Sequence, residues 1–258
     1  KEQLDRSIKT PDDIERELGL TFLGLLPSVV DGRAGSPYGG KGNKRRKGRP
    51  PQDNVALGAP ELIVHNHPTS GVAEAARALR TNILFMSPDR LFRKLLVTSA
   101  APAEGKTTVA CCIAIAMAQA GRKVALVDCD MRRPRVHRVF GKTNEVGVTT
   151  ALIDFGTVDQ IIRETGIPNL SMVTTGPIPP NPAELLHSDV FNKLLNLLAE
   201  RFDHLVIDSP PVAPVTDAAI LSTRVDATIL VVRALQTSKE LARRAMRAER
   251  GGTSLPRA

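Results

Sequence analysis

A Gly-Lys-Thr triplet at residues 105–107 is the first group of residues with recognisable chemistry. It closes a short loop that follows the apolar residues 95–98 and precedes a long run of small residues, 109–120. A strand, a tight loop and a helix in this order are typical of a phosphate-binding P-loop. In such a loop, backbone N–H groups and the positive end of the helix face the phosphates. A basic helix N-terminus without a ligand is the alternative for the triplet alone.

This interpretation assigns a role to each residue of the loop. Lys106 would reach the β- and γ-phosphates of a nucleotide, and the Thr107 hydroxyl would bind Mg²⁺. The first position of the usual motif is occupied by Ala100 instead of glycine. The residues predicted to surround the phosphates are Ala101, Pro102, Ala103, Glu104, Gly105, Lys106, Thr107 and Thr108.

Three carboxylates follow two other apolar runs of the chain. Asp128 and Asp130 come directly after residues 124–127, and Asp208 follows residues 205–207. An Asp that ends an apolar strand is how P-loop proteins hold the water shell of Mg²⁺, although Asp also closes ordinary turns. We predict that Asp128 is the base and that Asp130 contacts either Mg²⁺ or the acceptor. The predicted catalytic residues are Lys106, Asp128, Asp130 and Asp208, and the predicted metal ligands are Thr107, Asp130 and Asp208.

Alternating strands and helices surround these motifs. The near-continuous apolar strands predict a doubly wound, mostly parallel α/β sheet of the P-loop NTPase type, with helices on both faces. Ligands of such sheets bind at the carboxyl ends of the strands. The predicted strands are 95–99, 123–128, 169–174, 204–208 and 227–232. The predicted helices are 68–86, 106–120, 147–155, 188–201, 217–223 and 238–250.

The chain divides by composition into four parts. Residues 1–30 read as a helix capped by Thr10 and ended by Gly19, followed by a strand over 20–26. Residues 31–60 are rich in Gly, Pro, Arg and Lys and predict a flexible basic linker. Residues 61–250 form the predicted catalytic domain, and 251–258 a tail that is either truncated or divergent. The first residue is Lys1 rather than Met, which predicts a piece of a longer protein.

The net charge of +8 comes from two segments of the 258-residue chain. Residues 31–50 carry +6 and residues 239–258 carry +4, so the remaining residues carry −2. We therefore predict no nucleic-acid partner for the catalytic body. The basic run 44–47 either attracts anionic lipid head groups or is a solvated linker. Cys111, Cys112 and Cys129 show no metal-ligand spacing and are predicted to be small core residues.

Together these motifs resemble the bacterial tyrosine kinases of the polysaccharide co-polymerase type. The P-loop of that family, Ser-Ala-x-Pro-Gly-Glu-Gly-Lys-Thr, fits residues 99–107, with Ala103 in a glycine position. Its second Walker motif, which contains Asp-x-Asp-x-Arg, matches 126–132, and its Walker B motif matches 205–210. The family's Pro-Pro-Asn-Pro-x-Glu-Leu-Leu is present at 179–186.

Glu74, Arg77 and Arg80 are spaced three residues apart on a predicted helix, within about 120° of one face. They form either an ordinary solvated face or a strip of both charges that docks on another copy of the chain. The strip resembles the family's oligomerisation motif, Glu-x-x-Arg-x-x-Arg. That resemblance implies a head-to-tail interface that closes a ring-like homo-oligomer.

The resemblance implies an ATP- and Mg²⁺-dependent protein-tyrosine kinase that governs capsular or exopolysaccharide chain length and export. It implies a place on the cytoplasmic side of the bacterial inner membrane, beside a membrane-embedded chain-length domain of the same or a partner chain. The implied phosphoacceptor is a tyrosine-bearing protein tail. Tyr38 is the sole tyrosine of this sequence and is the alternative acceptor.

Two other functions remain open from the sequence. A non-kinase P-loop ATPase of the partition or septum-positioning type would carry a second lysine where this chain has Ala101. A kinase-inactive scaffold of the polysaccharide export machinery is the third possibility.

Overall fold

The computed structural model describes residues 6–30, 33–34, 59–86 and 92–250. The predicted linker, Tyr38, the basic run 44–47 and the tail 251–258 lie wholly or largely outside the described residues. The strands are β1 (Val29–Val30), β2 (Arg33–Ala34), β3 (Lys94–Ser99), β4 (Val124–Asp128), β5 (Ile162–Glu164), β6 (Leu170–Val173), β7 (His204–Asp208) and β8 (Ala227–Val231).

The helices alternate with these strands along the chain. They are α1 (Pro11–Leu18), α2 (Ile63–Asn66), α3 (Gly71–Phe85), α4 (Lys106–Gln119), α5 (Val136–Val139), α6 (Val148–Ile153), α7 (Val158–Ile161), α8 (Pro182–His187), α9 (Asp189–Arg201), α10 (Asp217–Ser222) and α11 (Lys239–Arg250). Single 3₁₀ turns lie at Pro60–Leu62 and Phe155–Thr157. In the described ranges, no helix is long and apolar enough to cross a membrane.

Six strands form one sheet in the order β5-β6-β4-β7-β3-β8. All neighbouring pairs are parallel except β5 and β6, which are antiparallel. Strand β7 lies between β3 and β4, so three carboxyl ends meet side by side. Asp128 and Asp208 are direct partners across the β4–β7 register. The predicted fold class is confirmed, and all five strands predicted for the sheet are present.

The sheet has a buried apolar layer on each face. One layer contains α3 and α4, and helix α4 is buried on all sides because it lies between the sheet and α3. A helix that is apolar all round requires such cover, which explains its run of small residues. Helices α6 and α9 cover the other face. Cys111, Cys112 and Cys129 are free and buried in these layers, as predicted.

The N-terminal helix forms as predicted, but the strand after it does not. Thr10 caps α1, and Gly19 ends it in the left-handed region with φ of 60°. The predicted strand over 20–26 is wrong, because these residues pair with no ladder in the described part of the chain. Instead, the Leu23 carbonyl accepts a hydrogen bond from Asn82 Nδ2 at 2.8 Å, and Leu23 and Leu26 pack on the α3–α4 layer. Their side chains reach the core without a strand partner.

The loop after β6 lies beside the acidic strand ends and packs closely on the backbone of Gly147. A Cβ at Gly147 would lie 2.1 Å from the Thr174 carbonyl oxygen and 2.4 Å from the Gly176 nitrogen. Thr175, which directly precedes Gly176, donates its hydroxyl to the Asp128 carbonyl at 2.9 Å. Because residue 147 is a glycine, the loop after β6 can take this position and contact the end of β4.

We expect Gly147→Ala to lower the free energy of unfolding by about 3 kcal/mol, because the added methyl group meets rigid backbone atoms. Gly71→Ala is the control, since no heavy atom lies within 4 Å of its Cβ position. Its effect should stay within about 1 kcal/mol. Urea unfolding of both variants measures the difference, and equal stabilities would contradict the packing argument.

Candidate active site

The phosphate loop joins β3 to α4 through two residues with left-handed backbone. Ala103 has φ of 64° and Gly105 has φ of 90°. Ala103 stands at the glycine position noted in the sequence, and it adopts the conformation that glycine adopts most readily. The first amides of α4, at Lys106, Thr107 and Thr108, have no acceptor in a preceding helical turn. They are the kind of donors that bind phosphate at a helix N-terminus.

The two polar side chains of the triplet contact carboxylates from different strands. Lys106 Nζ lies 2.8 Å from Asp130 Oδ2 and 3.5 Å from Asp208 Oδ1. The Thr107 hydroxyl donates to Asp208 Oδ2 at 2.7 Å. Thr107 and both carboxylates are buried. The structure thus brings together a cation, a hydroxyl and two acids that are distant in the sequence.

Asp128 belongs to the same group but is held by backbone amides. Its Oδ2 accepts hydrogen bonds from the N–H groups of Arg135 and Val136, each at 3.0 Å. Its Oδ1 accepts from the Asp130 amide at 3.1 Å. The side chain is fully buried at the end of β4. These bonds fix the orientation of the predicted base.

Burial and like charge dominate the electrostatics of the site. Burial, together with the neighbouring charge of Asp208, raises the pKa of Asp128 to about 7, against the opposing amides of Val136 and Arg135. Burial also raises the pKa of Asp208, although Lys106 and Thr107 oppose it. Burial disfavours the Lys106 cation, but the charges of Asp208 and Asp130 outweigh it and raise the Lys106 pKa. Lys106 therefore remains a cation.

The loop after Asp130 is fixed by a buried acid that the sequence did not single out. Arg132 donates two hydrogen bonds to Asp217, from Nε at 2.8 Å and from Nη2 at 3.0 Å. Asp217 is fully buried at the start of α10. Asp130 Oδ1 accepts from the amides of Arg132 and Arg133, at 3.3 Å and 2.9 Å. The pair therefore holds the backbone that orients Asp130.

Two more contacts near the site lack any sequence motif. Glu61 is buried and pairs with Arg135, which donates from Nε at 2.6 Å and from Nη2 at 2.5 Å. Thr237 donates to Glu104 in the phosphate loop. In each contact the partners are far apart in sequence, and no motif pairs them. Only the folded chain shows them.

The charged strip on α3 is partly satisfied within the chain. Arg77 Nη2 lies 2.5 Å from Glu74 Oε1 and also donates to the Pro68 carbonyl at 2.9 Å. Arg80 Nη1 donates to the Ala116 carbonyl of α4 at 3.2 Å. Glu74 and Arg77 thus form an exposed i,i+3 pair, whereas Arg80 lies against the neighbouring helix.

The oxygen donors of the site suit a hard cation. Asp208 Oδ1 is buried and accepts no hydrogen bond from any described residue. The other oxygen, Oδ2, accepts from the Thr107 hydroxyl. A hydroxyl and one or two carboxylates, completed by phosphate oxygens and water, are a typical Mg²⁺ environment. Across the described ranges, no group of three or more His, Cys, Asp or Glu side chains is arranged to hold a metal by itself. The residues fit a cation that arrives with a nucleotide.

Comparison with known proteins assigns the chain to a family. A family model described as an AAA domain matches residues 103–242. The chain is 40% identical to the tyrosine-protein kinase YwqD of Bacillus subtilis (strain 168) over 187 residues, which cover 72% of this chain and 79% of the relative. This chain belongs to the bacterial tyrosine-protein kinases. It is therefore a protein-tyrosine kinase of the nucleotide-binding P-loop class, as the sequence predicted.

Solved structures support the same assignment. The kinase domain of Escherichia coli tyrosine kinase ETK is 29% identical, with a TM-score of 0.80 over 95% of this chain and 90% of that domain. The chimerical protein CapA2B2 is 33% identical, with a TM-score of 0.78 over 94% of each chain. Against full-length etk of Escherichia coli (strain K12), the match spans 98% of this chain but 34% of the relative. The partition-type ATPase alternative is not better supported by these relatives.

We expect the kinase activity of the chain to fall at acidic pH. A base must be deprotonated to accept a proton, so if Asp128 is the base, as the sequence predicts, its pKa of about 7 sets the limit. Below this pKa, kcat/KM should decrease about tenfold per pH unit, whereas it should level off above it. A pH series of peptide phosphorylation measures the profile. A flat profile from about pH 5.5 to pH 8 would exclude Asp128 as the base.

Proposed function

We propose that this domain transfers the γ-phosphoryl group of ATP to a tyrosine hydroxyl in a Mg²⁺-dependent reaction. The tyrosine oxygen forms the new bond to phosphorus, the bond to the β-phosphate oxygen breaks, and ADP leaves. The tyrosine proton passes to Asp128. Phosphoryl transfer needs positioning and charge stabilisation more than covalent catalysis, so fixed charges suffice at such a site.

Each residue of the site has a proposed task. Lys106 binds the β- and γ-phosphates as a cation, while the amides of the loop and of the first turn of α4 bind the remaining oxygens. The other loop residues shape the phosphate site, from Ala101 to Thr108. Asp128 orients the acceptor hydroxyl and takes its proton.

We assign the metal to Thr107, Asp130 and Asp208. When bound there, Mg²⁺ would neutralise negative charge on the phosphates and would orient them. The contacts of the loop with the acids support this proposal. Lys106 Nζ forms ion pairs with Asp130 and Asp208, and the Thr107 hydroxyl donates to Asp208. An amine, a hydroxyl and two carboxylates around one loop are the parts that phosphoryl transfer requires.

We also propose a setting for the reaction. The domain would act at the cytoplasmic side of the bacterial inner membrane, joined to a chain-length domain of the same or a partner chain. The chimerical protein CapA2B2 matches this chain over 94% of its length and supports such a partner. The phosphoacceptor would be a tyrosine in a protein tail, and the process would be capsule or exopolysaccharide export.

Lys106→Met should lower phosphotyrosine formation at least about a hundredfold, because it removes the charge that faces the phosphates. The assay uses labelled ATP and a tyrosine-rich tail peptide, and it separates phosphotyrosine from free phosphate. Lys123→Met is the matched control, since Lys123 is exposed at the start of β4, away from the carboxyl ends. Free phosphate without phosphotyrosine from the wild type would favour an ATPase, and neither product would favour a scaffold.

We propose that Glu74, Arg77 and Arg80 form an interface between copies of the chain. Arg77→Ala combined with Arg80→Ala should convert a ring-like oligomer to monomers, because it removes both cations of the strip. Arg122→Ala is a suitable control, since Arg122 is an exposed arginine after α4. Sedimentation velocity measures the size distribution. An unchanged distribution in the double variant would contradict the interface.

A further inference from the structure

The carboxylate of Glu104 is occupied on both oxygens by protein donors. Its Oε2 accepts from the Ala101 amide at 2.8 Å, three residues earlier in the same loop. Its Oε1 accepts from the Thr237 hydroxyl. The side chain thus closes the loop on itself and ties it to a distant segment. Glu104 therefore supports the loop through both of its oxygens.

Thr237 is well placed to hold this carboxylate. It is buried, with 3% of its surface exposed, and it precedes α11 in the chain. While its hydroxyl donates to Glu104, the same oxygen accepts from the Arg233 amide at 2.8 Å. A hydroxyl has one donor and two acceptor positions, so this arrangement fixes the direction of the donated hydrogen. The hydroxyl hydrogen of Thr237 therefore points at Glu104.

The N-terminal segment braces the backbone around Thr237. The Ile8 amide donates to the Thr237 carbonyl at 2.9 Å, and the Ile8 carbonyl accepts from the Leu235 amide at 2.8 Å. The Lys239 amide donates to the Arg6 carbonyl at 2.9 Å. Ile8 itself is 2% exposed and packs with Leu18. A continuous path of hydrogen bonds thus runs from residues 6–8 to the phosphate loop.

The loop has a physical need for such support. Ala103 holds φ of 64°, in the left-handed region that is strained for an L-residue. Strained backbone persists only where its surroundings determine it. The bond between Ala101 and Glu104 spans this residue, and Thr237 fixes the carboxylate that makes it.

We propose that Thr237 is a positioning residue for the phosphate loop: its hydroxyl fixes Glu104, which keeps the loop in its nucleotide-binding conformation. The inference rests on the proposed function, since it assumes that the loop binds ATP. The N-terminal segment takes part because it holds the backbone of Thr237. Thr237 touches none of the reacting groups, so it acts on nucleotide affinity and leaves the chemical step alone.

Thr237→Val tests the hydroxyl with little change in size. We expect about a tenfold weaker affinity for a non-hydrolysable ATP analogue and a similar rise in KM for ATP, because a hydrogen bond to a charged group is lost. The kcat should stay within about twofold, since the loss affects binding uniformly. Thr237→Ser keeps the hydroxyl and should restore affinity to within about twofold of the wild type. Calorimetric titration and peptide phosphorylation of the full chain give these values.

Glu104→Gln is the second variant, and it changes no fully buried residue. If Thr237 acts through Glu104, Thr237→Val should change the affinity for the ATP analogue by less than about twofold in the Glu104→Gln background. Wild-type affinity in Thr237→Val or in Glu104→Gln, or equal losses in Thr237→Val and Thr237→Ser, would overturn the inference. Absence of ATP binding by the wild type would instead overturn the proposed function.

Discussion

The site depends on the ion pairs that hold the largely buried Lys106 ammonium group between Asp130 and Asp208. A buried charge is costly unless opposite charges and hydrogen bonds surround it. Here the two carboxylates supply that compensation, and the Thr107 hydroxyl satisfies one of the Asp208 oxygens. Phosphate oxygens of a nucleotide would offer Lys106 the same kind of partner. The protein thus keeps the cation in place by chemistry that resembles that of its proposed ligand.

The order of the strands creates this arrangement. Strand β7 lies between β3 and β4, so the phosphate loop and both acidic strand ends share one edge of the sheet. The parallel register places Asp128 directly beside Asp208. Asp128 is bound by backbone amides, whereas Asp208 accepts from the Thr107 hydroxyl of the phosphate loop. Neighbouring carboxylates in different surroundings can serve as a base and as a metal ligand.

The sequence predicts those features that are encoded locally. Apolar runs mark all five parallel strands, and the Gly-Lys-Thr triplet and the strand-end acids mark the site. The predicted strand over 20–26 is wrong because apolar character alone does not provide a neighbouring strand. Asp217 and Thr237 carry no local signal, since their partners Arg132 and Glu104 are 85 and 133 residues away. The sequence does not predict the short antiparallel β5 for a similar reason, because its pairing with β6 forms only in the folded chain.

The position of the N-terminal helix follows from apolar contacts more than from charge. Lys239 pairs with Asp13 at 2.7 Å, but both side chains are partly exposed, so water and salt screen the pair. Ile8 and Leu18 are almost fully buried against Ala242 of α11, and burial of such side chains contributes about 1.5–3 kcal/mol each. The segment before the linker therefore packs as part of the kinase core. Its backbone bonds to the turn before α11 then extend that core to the phosphate loop.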